Sequence, residues 1–198
     1  HRVNTYMLVI GNGESRKGVD LNTYYGKKIG CNAIHRDYQV DHLICVDRRM
    51  VEEAVNSDVN ETAIVYTRHD WIDTYKKTQK VRTVPSLPYK GTERWDEPFQ
   101  WGSGPYAVLL GATLSTEVKM IGFDLFSETT SVNNIYKDTN GYNESTKNAV
   151  DPRYWIHQIG MVFECFPKTQ FKILNKHKWL LPKRWNFDNV SLDTLNIL

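Results

Sequence analysis

The sequence predicts an α/β protein, one domain built on a mostly parallel, doubly wound sheet with helices on both faces. Two observations carry this. Short, nearly continuous apolar runs recur along the chain, as in Met7-Leu8-Val9-Ile10 and Leu43-Ile44-Cys45-Val46. Such runs suit strands buried on both faces, as in parallel sheets. They alternate with helical patterns or long crossovers rather than with tight hairpin turns.

Tyr6 to Ile10 is the first expected strand. After an irregular passage through Val19-Asp20-Leu21, Lys27 to Ile34 is the second and Asp41 to Asp47 the third. Arg48 to Asn56 reads as a helix, and Ala63 to Thr67 as the fourth strand. From Arg68 to Trp101 the pattern breaks. Pro85, Pro88, Gly91 and Pro98 stand among Trp71, Tyr75, Tyr89, Trp95 and Trp101. A connection of that length reads as excursions over the top edge of the sheet with one short helix. Gly102-Ser103-Gly104-Pro105 then opens a helix over Tyr106 to Ser115, with Pro105 in its first turn and Ser103 as its cap. Glu117 to Phe123 is the fifth strand, ending at Asp124. Ser127 to Val150 is polar and reads as a loop or lid carrying Tyr136 and Tyr142. Asp151-Pro152 opens a helix to about Phe166, and Gln170 to Leu174 is the sixth strand.

Residues 1–175 are therefore expected to form one α/β domain, and 176–198 a basic, aromatic tail packed on it. That tail interleaves Lys176, Lys178, Lys183 and Arg184 with Trp179, Leu180, Leu181 and Trp185. These residue types suit peripheral contact with an anionic membrane surface. They equally suit a tail that wraps the core with its cations in water, and that is the expectation.

The 198 residues suffice for one domain with a real core. A formal charge of +2 gives no case for a nucleic-acid partner. The three cysteines, Cys31, Cys45 and Cys165, form no CxxC and read as reduced and buried. No stretch approaches the length of a membrane span and no signal peptide is visible, so the expected location is cytoplasmic.

In an open α/β sheet the carboxyl ends of the strands converge on one ligand crevice. Here the loops reaching it carry Gly11-Asn12-Gly13-Glu14-Ser15, Cys31-Asn32, Gly102 to Gly104, and Asp124. Gly11 and Gly13 suit positive φ and the close approach of a ligand. Arg16 stands where a dinucleotide fingerprint would place its third glycine, and no acidic residue ends the second strand, which argues against a dinucleotide. There is no Walker A lysine motif, no H-E-x-x-H and no D-x-D pair. The site that remains is neutral and polar. Asn12 and Asn32 offer donors and acceptors for a base edge or ribose. Ser15 and Asp124 add polar side chains. Ser103 and Gly104 offer backbone amides at a helix start, suited to an anion. Tyr136 and Tyr142 could donate to a leaving phosphate. Purely structural roles also fit: a tight turn for the glycines, a helix cap for Ser103, loop packing for the tyrosines, and loop bracing for Asp124. A transferase acting on a hydroxyl needs a base. His157 in the last helix is the candidate, His35 and His69 lie topologically near the crevice, and His42 stands at the far end of its strand.

Taken in order, Val9-Ile10-Gly11-Asn12-Gly13-Glu14-Ser15, Cys31-Asn32-Ala33, Gly102-Ser103-Gly104-Pro105-Tyr106 and Ile121-Gly122-Phe123-Asp124-Leu125-Phe126 resemble the bacterial sialyltransferases of glycosyltransferase family 42. The resemblance spans roughly residues 6 to 175. It implies a single Rossmann-like domain that uses a CMP-linked sugar and a glycan acceptor, with no metal and no further cofactor, in a homo-oligomer. Asn12 and Asn32 would meet the nucleotide or donor sugar, and Ser103 and Gly104 the donor. Phe126 stands where the first of the family's phosphate-binding tyrosines is expected, so Tyr136 or Tyr142 would take that role. Asp151-Pro152-Arg153 stands where the family's base histidine is expected, which leaves His157 as the nearest. The glycine loop and GFD strand end also resemble an archaeal-type pterin diphosphokinase family, which implies a phosphoryl transferase using Mg-ATP. A non-catalytic nucleotide- or glycan-binding module is the third reading.

Overall fold

In the computed structural model, residues 3–75, 77, 80–89, 101–124, 136, 153–176, 179–195 and 198 are described. The chain runs β1 (Val3–Ile10), β2 (Lys27–Cys31), β3 (His42–Ile44), α1 (Arg48–Val55), α2 (Val59–Thr62), β4 (Ile64–Thr67), α3 (His69–Tyr75) and β5 (Val81–Thr83). It continues with α4 (Ser103–Leu114), β6 (Ser115–Ile121), α5 (Arg153–Cys165), β7 (Gln170–Asn175) and β8 (Val190–Thr194). The strands form one sheet in the order β5-β4-β3-β2-β1-β6-β7-β8. Each neighbouring pair is parallel. Strand order reverses at β1, which has β2 on one side and β6 on the other. The two halves of the sheet diverge there and leave a crevice above their carboxyl ends.

The side-chain alternation of β1 builds both cores. Met7 and Val9 face a cluster completed by α4 and α5. Leu8 and Ile10 face the opposite cluster, completed by Met50, Val51 and Ala54 of α1 and Tyr75 of α3. Helix α4 is apolar almost all round, with residues Tyr106 to Ala112 buried, as befits a helix enclosed between sheet and neighbouring helix. A Cβ on Gly111 would stand 2.9 Å from Val9 Cγ2, so glycine lets α4 sit close on β1.

Several elements differ from expectation. β2 ends at Cys31 because Asn32 takes φ 53° in the left-handed region, and a 3-10 turn over Asn32–Arg36 follows. Helix α4 starts at Ser103, with Gly102 as its N-cap, so Ser103 is the first helical residue and not the cap. The sheet has two strands beyond the six expected, β5 and β8, one at each edge. In β8, Val190 and Leu192 pack on the α4–α5 face. The 3-10 turn before it buries Trp185, whose Nε1 donates to Ile156 O of α5 at 2.9 Å. Asp151, Pro152, Phe126 and the expected loop over 127–150, Tyr136 excepted, lie outside the described residues. Among the described residues no helix is long and apolar enough to cross a membrane.

Candidate functional site

The crevice at the switch point is floored by the turns that end β1, β2 and β6 and walled by the starts of α4 and α5. Gly11, Asn12 and Gly13 line it from β1, Cys31 and Asn32 from β2, and Gly122, Phe123 and Asp124 from β6. Gly102 to Pro105 contribute the mouth of α4, and Trp155 and Ile159 one face of α5. Of the expected site residues, the fold therefore brings together Gly11, Asn12, Gly13, Asn32, Ser103, Gly104 and Asp124.

The two glycines of the first turn act differently from expectation. Gly13 has φ −66°, and among the described residues the glycines with positive φ are Gly18 and Gly122. What approaches Gly11 and Gly13 is the β6 turn. Gly11 N donates to Ile121 O at 2.8 Å and Gly13 N to Gly122 O at 2.9 Å. A Cβ on Gly11 would stand 2.5 Å from Gly122 O, and one on Gly13 2.6 Å from the Asp124 carboxylate. Absence of side chains lets two strand-end turns lock together across the switch point.

Ser15 and Asp124 complete that lock. Asp124 Oδ2 accepts the Ser15 amide at 2.8 Å, and Oδ1 accepts the Ser15 hydroxyl. Ser15 is buried and is not a lining residue, so it is not placed as a ligand contact. Asp124 lines the crevice with both oxygens already engaged.

Asn12 is held from beneath by Arg16, which is only 3% exposed. Arg16 Nε donates to Gly11 O at 2.7 Å and Nη2 to Asn12 Oδ1 at 3.0 Å. Asn12 Nδ2 donates to Cys31 O at 3.0 Å. A guanidinium can only donate and a carbonyl can only accept, so the amide orientation follows from its partners. Asn32 Oδ1 accepts the Ser103 hydroxyl at 3.2 Å, and that hydroxyl accepts Val46 N at 3.3 Å. With its N-cap a glycine and its third residue a proline, α4 receives no side-chain cap. The backbone N–H groups of Ser103 and Gly104 thus stand at the positive end of a twelve-residue helix, on residues that line the crevice. Burial pushes the Cys31 thiol up to about 12, so it stays protonated there.

Besides Ser15, two expected groups among the described residues, Tyr136 and His157, are not brought to the crevice. The Tyr136 hydroxyl donates to Asp37 Oδ2 at 2.7 Å within the core on the other sheet face. Burial first, and Asp37 second, push its pKa up to about 12. It therefore braces the interior and is not placed to meet a phosphate. His157 lies two residues from both Trp155 and Ile159, about 200° around α5 from the face they present, and it is not a lining residue. Tyr142 lies outside the described residues. Trp155, Ile159, Phe123 and Gly122 are the lining residues that sequence reasoning left unassigned. The 155/159 spacing was the available signal, since i and i+4 share a helix face.

Two further histidines, His42 and His35, have structural surroundings. His42 Nδ1 pairs with the Tyr66 hydroxyl at 3.0 Å near the amino end of β3. His35 Nε2 sits 3.0 Å from Glu53 Oε2. Burial lowers the pKa of both rings, and in His35 it outweighs the raising effect of Glu53. A folded-state value below the unfolded value of about 6.5 means that protonation favours unfolding. Their contribution is complete above that value and is lost as the pH falls through the lower folded values. The melting temperature is expected to fall between pH 7 and pH 5, and less steeply in His35→Gln. A wild-type melting temperature flat across that range would refute the assignment.

Among the described residues no group of three or more His, Cys, Asp or Glu side chains stands together as a metal cradle. Fold and site define an open, parallel α/β protein with a crevice at the topological switch point, its described lining polar and apolar with a single carboxylate, Asp124. Solved structures of similar fold are sialyltransferases. Monofunctional alpha-2,3-sialyltransferase Cst-I from Campylobacter jejuni matches with a TM-score of 0.62 at 12% identity, over 95% of this chain and 85% of that one. Sialyltransferase CstII from Campylobacter jejuni, in complex with cytidine-5'-monophosphate, matches with a TM-score of 0.58 at 13% identity, over 93% and 87%. CST-II with a trisaccharide acceptor and CMP matches with a TM-score of 0.55 at 13% identity, over 93% of each chain. At these identities the likeness is one of fold. No protein-family model matches the sequence, and no curated protein matches it.

Proposed function

We propose that this chain is a glycosyltransferase-like protein of the sialyltransferase type, binding a CMP-linked sugar without a metal ion and passing the sugar to a glycan acceptor. The observation that carries this is the start of α4, which has no side-chain cap and lines the switch-point crevice together with the amides of Asn12 and Asn32. Two N–H groups and a helix dipole match one phosphodiester charge. A nucleoside diphosphate brings more charge and calls for cationic side chains or a metal. The described lining carries no lysine or arginine, and its one carboxylate already holds Ser15. The solved neighbours, themselves sialyltransferases and two of them holding CMP, support the same reading. In it, Asn12 and Asn32 meet the nucleoside or donor sugar. The amides of Ser103 and Gly104 hold the phosphate and stabilise it as it leaves the anomeric carbon.

The test is a thermal-shift and calorimetric titration with nucleotides, in EDTA and in magnesium. CMP is expected to stabilise the protein equally in both, by about 2.7 kcal/mol at a hundredfold excess over its Kd. Stabilisation by Mg-ATP and not by CMP would replace this reading with the diphosphokinase-like one. CMP binding without consumption of CMP-sialic acid, with or without glycan acceptors, would reduce it to a binding module.

A further inference from the structure

We propose that Trp155 is the stacking wall for the nucleobase of the ligand, an inference that rests on the nucleotide reading above. Trp155 is 38% exposed, a large apolar side chain left in solvent, and it lines the crevice. Its position is set by α4. A Cβ on Gly102 would lie 3.4 Å from the indole Nε1 and 3.9 Å from Cδ1, so the ring stands directly beside the turn that leads into the amide pair. On the other flank of that turn, the Ser103 hydroxyl is bonded to the Asn32 amide. One wall of the crevice thus carries an exposed indole, the two N–H groups at the start of α4 and a side-chain amide. A face to stack on and an edge partner, either side of a phosphate seat, suit a pyrimidine nucleotide. A sugar ring would instead call for several hydroxyl partners around its rim. An exposed indole is also rigid, so it presents its face at little entropic cost.

The experiment is calorimetric titration of the full chain and of Trp155→Ala and Trp155→Phe with CMP, CMP-sialic acid and ribose 5-phosphate. Alanine is expected to weaken CMP about tenfold, as loss of one stacked base does, and to leave ribose 5-phosphate unchanged. Phenylalanine is expected to retain most of the CMP affinity and to abolish the CMP-dependent change in tryptophan fluorescence. Equal CMP affinity in wild type and Trp155→Ala overturns the assignment while leaving the nucleotide reading intact. A loss confined to CMP-sialic acid, with CMP unchanged, also overturns it and puts the indole against the sugar. Equal losses for CMP and ribose 5-phosphate overturn it as a general disturbance of the phosphate seat. Failure of wild type to bind any nucleotide removes the nucleotide reading itself, and this assignment with it.

Discussion

Gly122→Ala is expected to destabilise the protein by about 3 kcal/mol or more, against about 1 kcal/mol for Gly18→Ala. Both glycines hold positive φ, +76° and +85°, so both substitutions force a side chain into the left-handed region. Their surroundings separate them. A Cβ on Gly18 meets nothing within 4 Å, whereas a Cβ on Gly122 collides with the Gly11 carbonyl. Neither backbone can withdraw, because Gly11 N and Gly13 N are both bonded to the β6 turn. The collision therefore has to part the two strand ends that floor the crevice. Urea unfolding of the two variants checks this, with Gly18→Ala measuring the cost of positive φ alone. If Gly122→Ala proved no worse than Gly18→Ala, the interlocked turns would not be the rigid unit described here.

The sequence read well wherever a strand is buried on both faces, because an unbroken apolar run needs no partner to identify it. β1 and β4 are of this kind, and β6 and β7 come close, each broken by one lysine, Lys119 and Lys172. The edge strands are a different physical case. β8 packs Val190 and Leu192, and Ser191 and Asp193, which alternate with them, make the run look like a polar tail. β5 is only three residues long and follows a stretch rich in polar and aromatic side chains. Turn residues were harder still, since a propensity names a turn without saying what faces it. Ser103 looks like a cap in isolation. Placed beside Asn32 and Val46 it becomes the first helical residue, with its hydroxyl turned sideways.

The crevice follows the same division. Asn12, Asn32, Ser103, Gly104 and Asp124 could be placed together because topology alone sends strand ends to one side of a parallel sheet. Side-chain direction was not readable that way. Ser15 and Tyr136 belong to the right loops yet spend their hydroxyls on Asp124 and Asp37. His157 belongs to the right helix but the wrong face of it. Trp155 is legible only once the helix phase is known, and Arg16 only once its burial is.

Arg16 carries the second large expectation. Arg16→Met is expected to cost about 3 kcal/mol and, at temperatures where the variant is folded, to weaken CMP about tenfold. The residue that breaks the glycine fingerprint is thereby the one that organises its replacement. Its guanidinium lies under the turn, donating to Gly11 O and Asn12 Oδ1, and it also bonds the Tyr136 hydroxyl. Methionine fills similar volume and removes all three bonds, leaving buried or half-buried acceptors without their donor, at about 1–3 kcal/mol for each that stays buried, before relief from desolvating the charge. The binding loss has a separate cause. With Arg16 gone, only Cys31 O constrains the Asn12 amide, and the side chain no longer presents a fixed donor to the crevice. Arg16→Lys separates charge from geometry. One ammonium cannot span Gly11 O and Asn12 Oδ1 as the planar fork does, so lysine should recover less than half of either effect. Full recovery by lysine would make charge alone the determinant. A methionine variant as stable as wild type would mean that burying this cation costs as much as its hydrogen bonds return.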